Sequence, residues 1–346
     1  MSVSSIGGFR IAGVATCVPR HSIDNLDAGA RYGETEVRKV VAMAGVRRRR
    51  TVDAGVTAGD LCQQAAVRLL DQLGWSRDSV TGLIMVTQSP DYLLPSTSCV
   101  IQHRLGLSEH CAAFDVGMGC SGYPYGLYLA ACMLRAGGQQ RILVLHGETP
   151  SRFTHPDDYA TTLLFGDAGS ATAMEATAGV PESTFALHTD GSGYDQLIIR
   201  GGGFRDRIPG DPRHNFLEMD GAGIFNFTIK RVPALIQESL AHAGFTADDI
   251  DVFLFHQANR FIIKHLAKKC GVAEDRIPLT LEEYGNSGGP SVPLTLTHSL
   301  SSHRDSPLRV MMIAYGVGLS WGAMITRIDS DAVVMHVEMS GDGIPP

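Results

Sequence analysis

The 346-residue sequence lacks several features that would assign it to other classes of protein. Its seven cysteines form no C-x-x-C pair and no zinc-type spacing, which argues against a disulfide framework or a metal site and favours the reducing cytoplasm. The sequence has no basic, apolar leader at its start and no membrane-length apolar run, so we expect neither export nor a membrane span. A net charge of −7 without a long basic tract argues against nucleic acid as the main partner.

What remains is a globular composition, with 44% hydrophobic and 19% charged residues. Three pairs of segments recur in the same order about 170 residues apart. They are 69–88 with 239–258, 119–134 with 285–300, and 141–148 with 309–316. In the first pair a helical pattern ends at a glycine, Gly74 or Gly244, and leads into an apolar strand. We therefore predict two duplicated halves, residues 1–178 and 179–346, each part of a mixed α/β sheet covered on both faces.

Cys120 lies in a glycine-rich turn between a predicted strand and a predicted helix. A thiol at a helix N-terminus faces unpaired backbone N–H groups, which stabilise the thiolate and should lower its pKa from the usual value of about 8.5. This position favours a nucleophile. A small cysteine that fills a tight packing site is the alternative from local sequence.

The duplication links Cys120 to the second half of the chain. Its counterpart there is Asn286, and His256 stands at the end of the second half's buried strand. Strand ends form the active-site crevice in α/β sheets, so we expect the cysteine, the histidine and the asparagine to share one pocket.

Four segments, spaced as they are, resemble the β-ketoacyl-ACP synthase III family of the thiolase superfamily. They are GCSGYPYGL (119–127), HQANR (256–260), YGNSGGPSVP (284–293) and YGVGLSWGAM (315–324). The resemblance extends over nearly the whole chain and implies a thiolase-like fold of two duplicated halves in five layers, α-β-α-β-α. It also implies a homodimer.

The resemblance implies an acyltransferase that performs a decarboxylative Claisen condensation. Cys120 would carry the acyl group, while the backbone N–H groups of Cys120 and Val317 would form the oxyanion hole. His256 and Asn286 would bind the carbonyl of a malonyl-type thioester. The substrates would be acyl-CoA or acyl-ACP with malonyl-ACP or malonyl-CoA, with no cofactor and no metal, in a specialised fatty-acid or polyketide-type pathway.

Basic residues follow His256 at helical spacing: Arg260, Lys264, Lys268 and Lys269. The pattern alone is typical of a solvated helix face. The resemblance implies instead a docking surface for acyl carrier protein, which is acidic.

Several positions differ from the family pattern on the acyl-donor side. The residues expected to contact coenzyme A are replaced by Lys39, Met43, Ala222 and the stretch 157–159, and 288–290 reads Gly-Gly-Pro. These differences favour a specialised synthase over one primed by acetyl-CoA.

Three other interpretations compete. A papain-type cysteine hydrolase also has Cys, His and Asn in this order, although the papain signature is absent. Within the superfamily, the enzyme could transfer its acyl group to an oxygen or nitrogen acceptor without decarboxylation. A catalytically inactive partner subunit is disfavoured because Cys120, His256 and Asn286 are all present.

Overall fold

Strands and helices alternate along most of the chain. The computed structural model describes residues 3–300 and 305–339. Within these residues the strands are β1 (Val3–Ile6), β2 (Phe9–Val18), β3 (Ser22–Asp24), β4 (Arg48–Arg50), β5 (Gly82–Val86), β6 (Ala112–Val116), β7 (Arg141–Glu148), β8 (Ala168–Ala176), β9 (Ser183–Thr189), β10 (Leu197–Ile198), β11 (Glu218–Met219), β12 (Val252–Phe255), β13 (Leu308–Gly316), β14 (Ser320–Ile328) and β15 (Val333–Glu338). The α-helices there are α1 (Gly29–Tyr32), α2 (Glu34–Ala44), α3 (Ala58–Leu73), α4 (Thr97–Arg104), α5 (Gly122–Ala136), α6 (Tyr159–Thr162), α7 (Gly221–Ala243), α8 (Arg260–Cys270), α9 (Leu281–Tyr284) and α10 (Ser291–Ser299).

Two large sheets carry the fold, and they share a core of four strands in the same arrangement, β2-β8-β7-β5 and β9-β14-β13-β12. The first has the order β15-β2-β8-β7-β5-β6, and the second has the order β1-β9-β14-β13-β12. In both, one parallel pair, β5 with β7 or β12 with β13, is followed by antiparallel neighbours. The predicted counterparts 141–148 and 309–316 therefore form equivalent strands, β7 and β13.

The outermost strands cross between the halves. β1 comes from the start of the chain but pairs with β9 in the second sheet, and β15 comes from its end but pairs with β2 in the first. The division into residues 1–178 and 179–346 stays a prediction, and it includes residues 1–2, 301–304 and 340–346, which lie outside the described residues.

Helices and sheets stack in five layers, as predicted. α3 covers the outer face of the first sheet, α5 and α10 lie between the sheets, and α7 with α8 cover the second. Three hydrophobic clusters fill the spaces, with Leu69 in the first outer one, Leu127 and Met312 between the sheets, and Ile236 and Ile313 in the second outer one. No helix in the described ranges is both long and apolar enough to cross a membrane.

The repeated helix ends match the predicted glycines. α3 stops before Gly74 (φ 63°), and α7 stops before Gly244 (φ 70°), each a left-handed cap. At its start, α3 has a capping box between Thr57 and Asp60. These local signals set the direction in which β5 and β12 enter their sheets.

Candidate active site

Cys120 lies in the turn that joins β6 to α5. The Gly122 N–H donates to the Gly119 carbonyl at 2.8 Å, which closes the turn. Gly316, at the end of β13, approaches so closely that a Cβ on it would lie 2.6 Å from Cys120 Cβ and 3.0 Å from Sγ. Only glycine allows this approach, and the cysteine stays partly exposed.

The acidity of the Cys120 thiol differs from the expectation. Burial raises its pKa to about 11, and the Glu148 carboxylate adds to the rise, while the backbone N–H groups of Val317 and Cys120 oppose it. The predicted lowering of the pKa is therefore wrong for the free protein, because desolvation outweighs the helix N-terminus. The two N–H groups that favour the thiolate, those of Val317 and Cys120, are the pair predicted as oxyanion donors.

His256 follows β12 and is almost completely buried. Its Nδ1 hydrogen-bonds the Ser291 hydroxyl at 2.7 Å, and the same oxygen accepts the Gln257 N–H at 3.1 Å. Burial lowers the pKa of His256 to about 4, opposed by a backbone hydrogen bond with Gly288, so the ring is neutral at physiological pH. Its edge packs on the Tyr315 ring with the centroids 5.5 Å apart.

Asn286 is buried and is fixed by three hydrogen bonds. Its backbone N–H donates to the Leu164 carbonyl at 2.9 Å, and its own carbonyl accepts the Gly166 N–H at 3.0 Å. Its side-chain Oδ1 accepts the Gly288 N–H at 2.9 Å. Because a backbone N–H can only donate, this bond fixes the orientation of the amide and leaves Nδ2 as a donor.

The two predicted turns are in contact. A Cβ on Gly289 would lie 2.7 Å from the Gly119 carbonyl oxygen, and one on Gly288 would lie 3.2 Å from Glu148 Cγ. The Cys and Asn turns thus meet at the ends of β7 and β13, as the duplication predicts.

A cavity of about 350 Å³ opens beside Cys120. Its lining is mainly apolar, with residues that include Phe153, Phe165, Leu197, Ile198 and Leu217. Cys120, Val317 and Gly288 also line it. Within the described residues, His256 and Asn286 are buried and are not part of this lining.

Sequence reasoning missed the polar residues that surround these groups. Glu148 lines the cavity, accepts the Gln88 N–H and the Ser89 hydroxyl at 2.8 Å each, and has its pKa raised by burial to about 7. Glu148 ends a predicted strand. Because strand ends form the active-site crevice in α/β sheets, the reasoning that selects His256 also applies to Glu148. Ser291 lies in segment 284–293, one of the four that resemble the family, but the sequence analysis gives it no role.

The predicted docking residues lie on α8, and three of the four have partners within the chain. Arg260 donates to the Ala42 carbonyl at 3.2 Å, Lys264 pairs with Glu274 at 3.1 Å, and Lys269 donates to the Ile229 carbonyl at 2.8 Å. Lys264, Lys268 and Lys269 are exposed.

Among the positions that differ from the family pattern, Lys39, Met43, Ala222 and the stretch 157–159 lie at the surface, whereas 288–290 are buried. Lys39 pairs with Glu36 at 2.8 Å, Asp157 pairs with Arg31 at 2.9 Å, and Met43 is 62% exposed. Among the described residues, no group of three or more His, Cys, Asp or Glu side chains could hold a metal ion.

Comparison with known proteins agrees with this geometry. Residues 114–191 match the family described as 3-oxoacyl-[acyl-carrier-protein] synthase III, and residues 240–328 match its C-terminal family. A β-ketoacyl-[acyl-carrier-protein] synthase III from Chelativorans sp. (strain BNC1) is 34% identical over 324 residues, 92% of this chain and 98% of the relative.

Solved structures give the same result. A 3-oxoacyl-(acyl-carrier-protein) synthase from Burkholderia xenovorans LB400 is 41% identical, with a TM-score of 0.94 over 97% of this chain and 99% of that one. The priming β-ketosynthase of the R1128 polyketide pathway is 26% identical, with a TM-score of 0.85 over 94% of this chain and 98% of that one.

The thiolase-like fold and these matches define an acyltransferase of the thiolase superfamily. The chain belongs to the β-ketoacyl-ACP synthase III family. The papain-type interpretation is thereby excluded.

Proposed function

We propose that the protein condenses a Cys120-bound acyl group with a malonyl-type thioester by decarboxylative Claisen condensation, with Cys120, His256 and Asn286 as catalytic residues. The observation that carries this proposal is the position of the Cys120 sulfur. Cys120 and Val317 both line the apolar cavity, and the backbone N–H groups of these two residues favour the thiolate.

In the first half-reaction the Cys120 sulfur attacks the carbonyl carbon of an acyl thioester, the bond from that carbon to the carrier sulfur breaks, and the proton lost by the Cys120 thiol protonates the departing carrier thiolate. Negative charge develops on the carbonyl oxygen. The N–H groups of Val317 and Cys120 are fixed in place before the reaction, and losing such a donor typically costs ~10²–10³ in rate.

In the second half-reaction the malonyl thioester loses carbon dioxide, and its carbanion attacks the acyl group and releases the Cys120 thiolate. The Asn286 Nδ2 and the His256 ring would donate hydrogen bonds to the thioester oxygen. The Ser291 oxygen already accepts the Gln257 N–H, so its hydroxyl can donate a hydrogen bond to His256 Nδ1. The proton of the neutral ring is then on Nε2. Donors that meet developing enolate charge stabilise the transition state more than the ground state.

The substrates and setting follow from the family. Acyl carrier protein would dock on Arg260, Lys264, Lys268 and Lys269, and the enzyme would act as a cytoplasmic homodimer without a cofactor. The altered positions at Lys39, Met43 and Ala222 favour a specialised fatty-acid or polyketide-type pathway. The related R1128 protein primes polyketide synthesis.

Glu148 supports one alternative activity. Its carboxyl lines the cavity beside Cys120, and its pKa near 7 suits a base that accepts the proton of an incoming hydroxyl or amine. The acyl group would then pass to oxygen or nitrogen without loss of carbon dioxide.

Intact-mass measurement tests both activities. The protein is mixed with acyl-CoA and acyl-ACP donors, with and without malonyl-ACP, and carbon dioxide release is recorded. We expect an acyl adduct that disappears when malonyl-ACP is added. Cys120→Ala should abolish the adduct, whereas the exposed Cys99→Ala should keep it. An undiminished adduct in Cys120→Ala contradicts the nucleophile assignment, and acyl transfer without carbon dioxide favours the alternative.

A further inference from the structure

A second buried imidazole, His146 on β7, lies beside the two turns. Its side chain is fully buried, and neither ring nitrogen has a hydrogen-bond partner among the residues that the structure describes. A buried polar group without a partner costs about 1–3 kcal/mol, so native proteins keep few of them. Packing alone does not account for a histidine at this position.

The ring is aimed at the contact between the Cys turn and the Asn turn. A Cβ on Gly289 would overlap its Cε1–Nε2 edge, and a Cβ on Gly122 would lie 3.1 Å from Cε1. Tyr123 stacks on the ring with the centroids 6.3 Å apart, which holds the plane of the imidazole. Gly289 is therefore explained by the space that His146 occupies.

The Gly119 carbonyl is a polar group close to this edge. A single Cβ position on Gly289 would overlap the Nε2 edge of His146 and lie 2.7 Å from the Gly119 oxygen. This carbonyl acts on the ring to raise its pKa, although the contact falls short of hydrogen-bond geometry. The oxygen accepts the Gly122 N–H, and its second lone pair is available for another donor.

The Gly119 carbonyl belongs to the same peptide group as the Cys120 N–H. A hydrogen bond to the carbonyl of a peptide polarises that group and strengthens its N–H as a donor. Catalytic hydrogen bonds that are long in a free enzyme often tighten as the transition state forms.

We propose that His146 is a positioning residue, which donates from Nε2 to the Gly119 carbonyl and thereby orients and polarises the Cys120 N–H toward the oxyanion. The inference rests on the proposed function, in which that N–H stabilises both tetrahedral intermediates. Burial lowers the pKa of His146 to about 3, so the ring is neutral and carries one proton. That proton must be on Nε2.

The tautomer can be measured in the unmodified protein. Histidine labelled with ¹⁵N, with the His146 signals assigned by their loss in His146→Gln, distinguishes an Nε2–H from an Nδ1–H ring. We expect the Nε2–H form at pH 7. An Nδ1–H ring overturns the proposal whatever the enzyme's substrates are.

His146→Leu tests the effect on the oxyanion hole. Because leucine has no polar atom to leave unpaired, we expect an unfolding midpoint equal to or above that of the parent. With octanoyl-pantetheine labelled with ¹³C at the carbonyl, we expect acylation about tenfold slower, less than the ~10²–10³ loss for removal of a donor itself. We also expect a higher infrared stretching frequency for the acyl-Cys120 carbonyl.

His146→Gln keeps an N–H donor and should recover most of the rate and lower the frequency again. An identical carbonyl frequency in His146→Leu and the parent overturns the proposal. If the parent itself forms no acyl adduct, the proposed function fails instead, and the tautomer alone decides the role of His146.

Discussion

The ends of β7 and β13 occupy equivalent places in the two sheets but treat the opposite turn differently. β13 ends at Gly316, which packs on Cys120 of the first half without a side chain. β7 ends at Glu148, and Glu148 and His146 on this strand place large side chains against Gly288 and Gly289 of the second half. Gly316 leaves space for the cavity beside the Cys turn, whereas Glu148 and His146 occupy the space beside the Asn turn.

This difference explains how one duplicated motif can support two roles. The Cys turn places Cys120, a partly exposed residue, in the lining of the cavity, as covalent chemistry requires. The Asn turn buries Asn286 and directs its amide with the Gly288 N–H, as a fixed hydrogen-bond donor requires. Changes to one turn should therefore affect one half-reaction more than the other.

The largest separation is expected for Asn286→Ala. Acylation of Cys120 should persist, because Asn286 does not line the cavity at the sulfur. Release of carbon dioxide from malonyl-ACP should fall by ~10²–10³, the usual cost of an oxyanion-type donor. Single-turnover acylation by mass and carbon dioxide release measure the two steps. Equal losses in both steps would contradict the division of roles between the turns.

Gly316→Ala should have the opposite effect. Its Cβ would lie 2.6 Å from Cys120 Cβ and force the turn or the strand to move. A displacement of a catalytic group by about 1 Å can cost about 10² in rate. We therefore expect acylation of Cys120 to be about 10²-fold slower in Gly316→Ala. Gly117→Ala is the matched control, since a Cβ there would meet no atom within 4 Å. A similar loss in Gly117→Ala would show that the whole loop, and not the approach of β13, sets the rate.

Much of this site could be predicted from the sequence. The offset of about 170 residues relates Cys120 to Asn286, and the strand-end rule selects His256. The five layers and the glycine caps at Gly74 and Gly244 also follow from local patterns and the family resemblance.

Contacts between residues that are distant in the sequence could not be predicted in this way. The pKa of Cys120 depends on burial and on the nearby Glu148 carboxylate, which local sequence does not reveal. His146 meets Gly289 only after the two sheets stack. The sequence predicts the helix N-terminus, which lowers the pKa of the Cys120 thiol. The desolvation that raises this pKa by more arises only from the tertiary structure.

Glu148→Gln should change thiol reactivity by a smaller factor that depends on pH. The charged carboxylate raises the pKa of Cys120, so its removal should lower that pKa and speed alkylation by iodoacetamide about fivefold at pH 8.5. The pKa of Glu148 is itself raised to about 7, so the parent carboxyl is neutral well below that pH. The variant and the parent should then react alike near pH 5.5.

Glu109→Gln is the control for this comparison, because Glu109 is exposed and precedes β6, whereas the Cys120 turn follows that strand. A rate difference between Glu148→Gln and the parent that stays constant from pH 5.5 to 8.5 would rule out the charge as its cause.

The smallest effect is expected far from both turns, at Lys268 on α8. If an acidic carrier protein docks there, Lys268→Glu should lower kcat/KM for acyl-ACP by about two- to fivefold, the range for an exposed charge pair. The loss should shrink as salt is added, because exposed charges are screened, and octanoyl-pantetheine should be used equally well by variant and parent. Arg68→Glu makes the same charge change on α3, in the opposite outer layer, and should leave both substrates unaffected. Equal losses on carrier and pantetheine substrates would instead indicate that Lys268→Glu disturbs α8 and, through it, the His256 side of the site.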